Sequence, residues 1–103
     1  MEYVALLTWR PGLTTEQRDG ALARRAGWRY PEGLSVIAEY WPATDSPAVV
    51  SIFSADDYAA VWEMVANRTD VFSIDVHPAV SADEGLKIGP DVFGRLPRLQ
   101  PTS

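Results

Sequence analysis

The only histidine of this chain, His77, follows Asp75 by two residues. Side chains two residues apart in a β-strand point to the same face of the sheet. An imidazole titrates near neutral pH, and a neighbouring carboxylate raises its basicity and fixes its tautomer, as a general base requires. The spacing therefore makes His77 and Asp75 the candidate catalytic acid–base pair. The alternative is a structural pair, or one exposed to solvent at the end of a strand.

Large aromatic residues are dense for 103 residues, with four Trp and four Tyr. Trp9 ends an apolar run, while Trp28 and Tyr30 lie where a predicted helix returns to the sheet. These side chains are predicted to wall a pocket for a flat organic ligand, with Arg10 or Arg29 holding an acidic group. The alternative is that a thin core uses large side chains because each buries so much area.

Glu39 lies inside a predicted strand, where a carboxylate must be paired or exposed, and it is a further candidate for ligand binding. A metal site formed by Glu39, Asp75 and His77, or a haem held by His77, remains an alternative without any ligand-spacing signature. The chain has no cysteine, which excludes thiolate catalysis and cysteine-bound metals. We therefore expect neither a metal nor a cofactor.

Length and composition indicate one globular domain. The net charge of −5 disfavours a nucleic-acid partner, because phosphate binding needs a concentration of Lys and Arg. No apolar run approaches the roughly 20 residues of a membrane-spanning helix, so no membrane association is expected. The N-terminus lacks the basic segment of a signal peptide, which predicts a cytoplasmic protein.

Local patterns predict six elements. A capping box formed by Thr14 and Gln17 starts the first helix, and apolar residues at helical spacing, among them Trp62, mark the face of the second helix that packs on the sheet. Domain 1–88 is expected to contain all six, followed by an irregular tail over 89–103. The elements are strand 2–9, a helix from Thr14 to about 26, strand 34–41, strand 48–53, a helix that follows a cap over 54–57 and ends near 67–70, and strand 71–80.

The order β-α-β-β-α-β is typical of an α+β, ferredoxin-like fold, in which two helices cover one face of a four-stranded antiparallel sheet. The helices leave the other sheet face uncovered, and that face carries apolar residues such as Ile37. An uncovered apolar sheet is unusual on a soluble monomer. The pattern therefore predicts a homodimer in which two sheets pack face to face.

Several short segments resemble those of the dimeric α+β barrel superfamily, and within it an uncharacterised group of short bacterial and archaeal proteins. The resemblance spans about residues 3–85. The segments are Thr8-Trp9-Arg10-Pro11-Gly12, Ala26-Gly27-Trp28 with Pro31-Glu32-Gly33, Glu39-Tyr40, the acidic-then-aromatic start of the second helix, and Phe72-Ser73-Ile74-Asp75-Val76-His77-Pro78 followed by Val80.

Known members of that superfamily include cofactor-independent monooxygenases, polyketide-type cyclases, haem-degrading enzymes and ligand-binding regulatory modules. Because no catalytic signature is shared among them, the resemblance implies a fold and not an activity. Two hypotheses follow. The chain is either a tailoring enzyme, of cyclase or cofactor-independent monooxygenase type, acting on an aromatic or polyketide-like molecule, or a non-catalytic module for ligand binding or assembly.

Overall fold

The computed structural model describes residues 1–95 of the chain. It confirms the predicted β-α-β-β-α-β order and adds a third helix at the end. The predicted bounds differ from those observed by one or two residues at most ends, where local signals are weakest. The elements are β1 (Glu2–Trp9), α1 (Thr15–Gly27), β2 (Leu34–Tyr40), β3 (Val49–Ala55), α2 (Tyr58–Ala66), β4 (Phe72–Ala79) and α3 (Ala82–Arg95).

The four strands form one antiparallel sheet in the order β2-β3-β1-β4. β1 and β3 are therefore central, and β2 and β4 are the edge strands, as the ferredoxin-like order predicts. The register places Ala5 opposite Ser51 and Leu7 opposite Val49. Cross-strand partners share a face of the sheet, so these four side chains point together toward the helices.

The core lies between the sheet and the helices. Phe53, Leu7, Met64 and Val61 are its largest fully buried side chains. α1 begins as predicted, because Gln17 N–H donates to the Thr14 hydroxyl while the Gln17 side chain accepts from Thr14 N–H. No residue of α1 is fully buried, so this helix covers the sheet loosely.

The buried face of α2 overlaps the predicted one, because Val61 is buried and Val65 packs against the core, but it is turned away from Trp62. Trp62, expected in the core, is 69 % exposed, whereas Ala60, Val61 and Met64 are buried. The small Ala60 side chain lies beside Gly33 and lets the helix approach closely. Trp62 packs instead against Tyr58 on the outer side of α2, with ring centroids 6.5 Å apart.

The face of the sheet opposite the helices has no cover within residues 1–95. Its central part consists of half-buried Val4, Leu6, Val50 and Ile52, which alternate with the buried residues of the same strands. We call this whole side of the sheet the open face. The bulge between Val36 and Ala38 twists the β2 edge beside it.

α3 replaces part of the irregular tail that we expected from residue 89. The tail prediction is wrong for 89–95, where the helix continues through Pro90, and the rest of the tail lies outside the described residues. Apolar side chains recur at helical spacing along α3, although none is buried. Leu86 and Phe93 are 77 % and 72 % exposed. None of the helices in residues 1–95 is long and apolar enough to cross a membrane.

The packing of α2 makes a stability prediction. Met64→Ala should lower the free energy of unfolding by about 2–5 kcal/mol, because it removes fully buried methylenes and leaves a cavity. Trp62→Ala is the matched control on the same helix and should change it by less than about 1 kcal/mol. Urea unfolding followed by circular dichroism measures both. A larger loss for Trp62→Ala would contradict this orientation of α2.

Candidate functional site

Glu39 is the centre of a polar cluster on the helix-facing side of the sheet. Its carboxylate accepts two hydrogen bonds from Arg25, from Nε at 3.1 Å and from Nη2 at 3.1 Å. Trp41 Nε1 donates to Glu39 Oε2 at 2.9 Å, and the Tyr30 hydroxyl donates to Oε1. Four donors fill the acceptor sites of one carboxylate, so Glu39 is fully satisfied.

Three elements bring this cluster together. Glu39 pairs with Ser51 across β2 and β3, so both side chains point toward the helices. Arg25 comes from the last turn of α1, and Tyr30 follows it in the loop that leads to β2. The Tyr30 hydroxyl also lies 2.8 Å from Ser51 Oγ, which is completely buried. The cluster therefore joins α1 to the β2 side of the sheet.

The cluster fixes the charge of its members. Burial by itself raises the pKa of the Glu39 carboxyl, but the hydrogen bonds from Arg25, Tyr30 and Trp41 outweigh it, so the pKa lies below its ordinary value. Burial, assisted by the hydrogen bond to Glu39, raises the pKa of the Tyr30 phenol. At neutral pH the site therefore holds an ionised Glu39, a charged Arg25 and a neutral Tyr30.

Arg68 lies beside this cluster but takes no part in its hydrogen bonds. Only 8 % of the residue is exposed, and within residues 1–95 its Nη1 has no hydrogen-bond partner. Its guanidinium carbon lies 5.1 Å from the centre of the Trp28 ring and 5.5 Å from that of Phe72. Burial lowers the pKa of Arg68, although Glu39 opposes the change through its negative charge. Arg68 is thus a buried cation held between aromatic rings.

Backbone hydrogen bonds to the end of α2 and to the start of β4 fix the position of Arg68. It follows the C-cap of α2 directly, where its N–H donates to Val65 O at 3.0 Å. Its carbonyl accepts from Phe72 N–H at 3.2 Å, at the start of β4. The side chain is therefore anchored by the end of a helix and the beginning of a strand.

Two cavities lie next to Arg25 and Arg68, and both arginines line each of them. The larger has a volume of about 310 Å³ and lies between α1 and the loop from β2 to β3. The smaller has a volume of about 140 Å³ and lies between α1 and the end of α2. We call them the Trp9 cavity and the Trp28 cavity. The Trp9 cavity is lined by Trp9, Ala21, Leu22, Arg25, Trp41, Pro42, Thr44, Asp45, Ala48, Val49 and Arg68.

Comparison with protein families assigns the chain over most of its length. Residues 1–93 match the family described as a domain of unknown function, DUF3303. The chain belongs to this family. A comparison with curated proteins finds no match. The match extends beyond the two-helix, four-stranded unit into α3, so the third helix is largely inside the DUF3303 domain.

The DUF3303 fold brings some of the sequence-predicted ligand-binding residues together. Trp9 lines the larger cavity and Trp28 lines the smaller one. The Tyr30 hydroxyl donates a hydrogen bond to Glu39 next to both cavities. Trp28 and Tyr30 pack edge to face, with centroids 4.7 Å apart. Trp28 and Tyr30 thus lie together, whereas Trp9 and Trp28 line different cavities, and the shared pocket wall stays a prediction.

The two arginines proposed to hold an acidic group lie elsewhere. Arg10 is exposed, and its Nε donates to Thr69 O at 2.7 Å. Arg29 is also exposed and lines neither cavity. The Trp9 and Trp28 cavities take their positive charge from Arg25 and Arg68 instead.

Asp75 and His77 lie on the opposite side of the sheet from both cavities. The register places His77 opposite Val4 and Asp75 opposite Leu6, so both side chains belong to the open face. Both are exposed, and neither lines a cavity described above. Their catalytic role stays a prediction that nothing in the cavities supports. Glu39 points to the other face, and residues 1–95 contain no group of three or more side chains arranged to hold a metal ion.

Sequence reasoning missed Arg68, Arg25 and Ser51. Arg25 had a signal, because it shares the apolar side of α1 with Leu22 and Trp28, and a charge on such a stripe needs a partner. Arg68 had no signal, because it lies in the short connection after α2, where arginines are usually exposed. Only the fold shows that this connection turns the side chain inward.

The pKa of Glu39 predicts an acid-dependent contribution to stability. Its folded pKa is lower than the ordinary 4.5, so the contribution is fully present above about pH 5 and is lost as the pH falls through the folded pKa. Glu39→Gln should therefore be less stable than wild type at pH 7, and the difference should shrink below pH 4.5. Thermal unfolding from pH 3 to 8 measures this. Glu32→Gln, at an exposed position, is the control and should show no such trend.

Proposed function

We propose that this DUF3303 protein binds a small, flat organic molecule in the Trp9 cavity. The observation that carries the proposal is the cavity itself, of about 310 Å³, with Trp9 and Trp41 in its wall and two arginines at its base. Small-molecule sites are typically concave, mainly apolar and furnished with a few fixed polar groups. The volume is at the low end of the usual range and suits a ligand of one or two rings.

The titratable groups at this cavity already have hydrogen-bond partners, which favours ligand binding over acid–base catalysis. A general base needs a free lone pair, but Glu39 already accepts four hydrogen bonds. Asp45, which lines the cavity, is held by both Nη atoms of Arg18 at 3.2 and 3.3 Å. Tyr30 is neutral and donates to Glu39. These groups support the non-catalytic hypothesis.

The tailoring-enzyme hypothesis stays a prediction. Its acid–base candidates, Asp75 and His77, lie on the open face, so a substrate in the Trp9 cavity would be separated from them by the sheet. An activity based on this pair would need a second cavity formed at the open face by another molecule. The cytoplasmic location and the kinship with the dimeric α+β barrel superfamily also stay predictions.

A larger side chain introduced on α1 would fill the cavity and so tests the binding proposal. Ala21 lines both cavities, whereas Ala23 on the same helix is exposed. Two bicyclic probes, 2-naphthoate and its neutral amide, should change the tryptophan fluorescence of the wild type, because Trp9 and Trp41 line the cavity. Ala21→Phe should weaken binding of both probes by about tenfold or more. Ala23→Phe should leave it unchanged. Failure of both probes to bind the wild type would refute the proposal.

We further propose that the chain forms a homodimer through the open face and α3. The centre of the open face and one side of α3 are apolar and without cover in residues 1–95, while Asp75 and His77 lie on the β4 side of that face. On α3 the apolar side chains, among them Leu86 and Phe93, lie on one side, while Lys87 and Asp91 lie on the other. α3 follows the edge strand β4 directly. In a twofold dimer, each α3 is thus positioned to reach the partner subunit.

The area of the open face supports a role for α3 in that dimer. Four strands of seven or eight residues, spaced about 4.8 Å apart and rising about 3.3 Å per residue, cover roughly 450–500 Å² in projection. A stable interface buries about 800 Å² on each partner. The sheet face alone is therefore small, and a helix of 14 residues, about 21 Å long, supplies additional apolar surface.

The dimer is tested on α3, where a substitution does not disturb the core. Phe93→Glu should raise the dimer dissociation constant by about tenfold or more, because it places a charge in the apolar contact. Lys87→Glu changes the polar side of the same helix and should leave it unchanged. Sedimentation equilibrium measures both. A monomeric wild type at about 100 μM, or equal effects of the two variants, would contradict the proposal.

A further inference from the structure

The cavities are surrounded by ionic groups of both signs, and all but one of these groups have a partner. Arg18, Arg24 and Arg25 each form an ion pair with a carboxylate, at 3.2, 3.1 and 3.1 Å. Arg68 forms no ion pair with any residue in the described part of the chain. The three pairs are Arg18–Asp45, Arg24–Asp70 and Arg25–Glu39.

This pairing leaves the site with one surplus positive charge. Four guanidinium groups face three carboxylates, and the unmatched group, Arg68, is the most buried of the four. The excess is notable because the whole chain carries a net charge of −5. The positive excess at this site is therefore local, and one unmatched charge suits a ligand with a single negative charge.

Burial of an unpaired guanidinium destabilises a protein, because the charge loses its hydration. The Trp28 and Phe72 rings offset part of this cost through cation–π attraction to Arg68. They do not accept its N–H groups in the way an oxygen does, since the donors lie in the guanidinium plane. The unmet need is an in-plane acceptor with a negative charge, and a carboxylate has that geometry.

We propose that Arg68 recognises the carboxylate of a small aromatic acid whose ring occupies the Trp9 cavity. This inference rests on the binding function proposed above and names the ligand class of that same site. Arg68 lines the cavity together with the apolar side chains of Leu22 and Val49, so one molecule in the cavity lies against both the apolar wall and Arg68. Glu39 keeps Arg25 occupied, which leaves Arg68 as the group that binds the anion.

Probes that share one ring system but differ in charge separate the contribution of the charge to binding from that of the rings. 2-Naphthoate and 2-naphthamide share the ring system and differ in charge, and 2-naphthyl phosphate carries the same rings with up to two charges. In the wild type, naphthoate should bind about tenfold tighter than the amide, or more. It should also bind tighter than the phosphate, because only one positive charge is unmatched. Isothermal titration at low and moderate salt measures all three.

Substitution of Arg68 tests whether that residue provides the preference. In Arg68→Met, which keeps an unbranched apolar stem and removes the guanidinium, naphthoate and naphthamide should bind equally, and the amide should keep its wild-type affinity within about twofold. Arg68→Lys keeps the charge without the planar fork and should retain part of the preference. Arg29→Met removes an exposed arginine that lines neither cavity and should change nothing.

The outcomes distinguish this inference from the binding function on which it rests. Equal binding of acid and amide to the wild type would overturn the role of Arg68 while leaving the cavity function intact. Tighter binding of the phosphate would overturn the carboxylate assignment. Binding of no probe would remove the cavity function itself. Because the wild-type comparison needs no variant, the inference remains testable even if Arg68→Met fails to fold.

Discussion

The buried carboxylate of Glu39 is the interaction on which the helix-facing site depends. It accepts from Arg25 on α1, from Tyr30 in the following loop and from Trp41 after β2. α1 has no fully buried residue, so its apolar contacts alone hold it weakly against the sheet. A satisfied and partly buried ion pair is geometrically specific, because each donor must meet its acceptor. Glu39 therefore sets the position of α1, and with it the shape of the two cavities.

The same interaction decides which charge remains available. Because Glu39 occupies Arg25, it leaves Arg68 as the unmatched cation between Trp28 and Phe72. Binding sites commonly keep polar groups that the protein itself does not satisfy, at a cost to stability. The cluster is thus better suited to hold a ligand than to move protons, since its carboxylate, Glu39, already accepts four hydrogen bonds. Catalysis by Asp75 and His77 would require a separate cavity, formed at the open face by another molecule.

Within residues 1–95, two apolar surfaces of the DUF3303 domain have no cover, namely the centre of the open face and one side of α3. Neither is explained by the helix-facing core, which is complete with Phe53, Leu7 and Met64. A surface helix that keeps a continuous apolar side is typical of contact with another molecule. A second copy offers both complementary surfaces at once under twofold symmetry. The proposed binding cavity and the proposed dimer contact therefore lie on opposite sides of the sheet.

The sequence by itself determined the element order, the central position of β1 and β3, and the start of α1. These follow from local patterns, namely strand alternation, the capping box of Thr14 and turn residues. It also indicated that Glu39 needs a partner. The tertiary structure decided which face of α2 is buried, because Ala60 rather than Trp62 fits beside Gly33. It alone brought Arg68 next to Trp28, since a contact between residues 40 positions apart depends on how the helices pack and has no local signal.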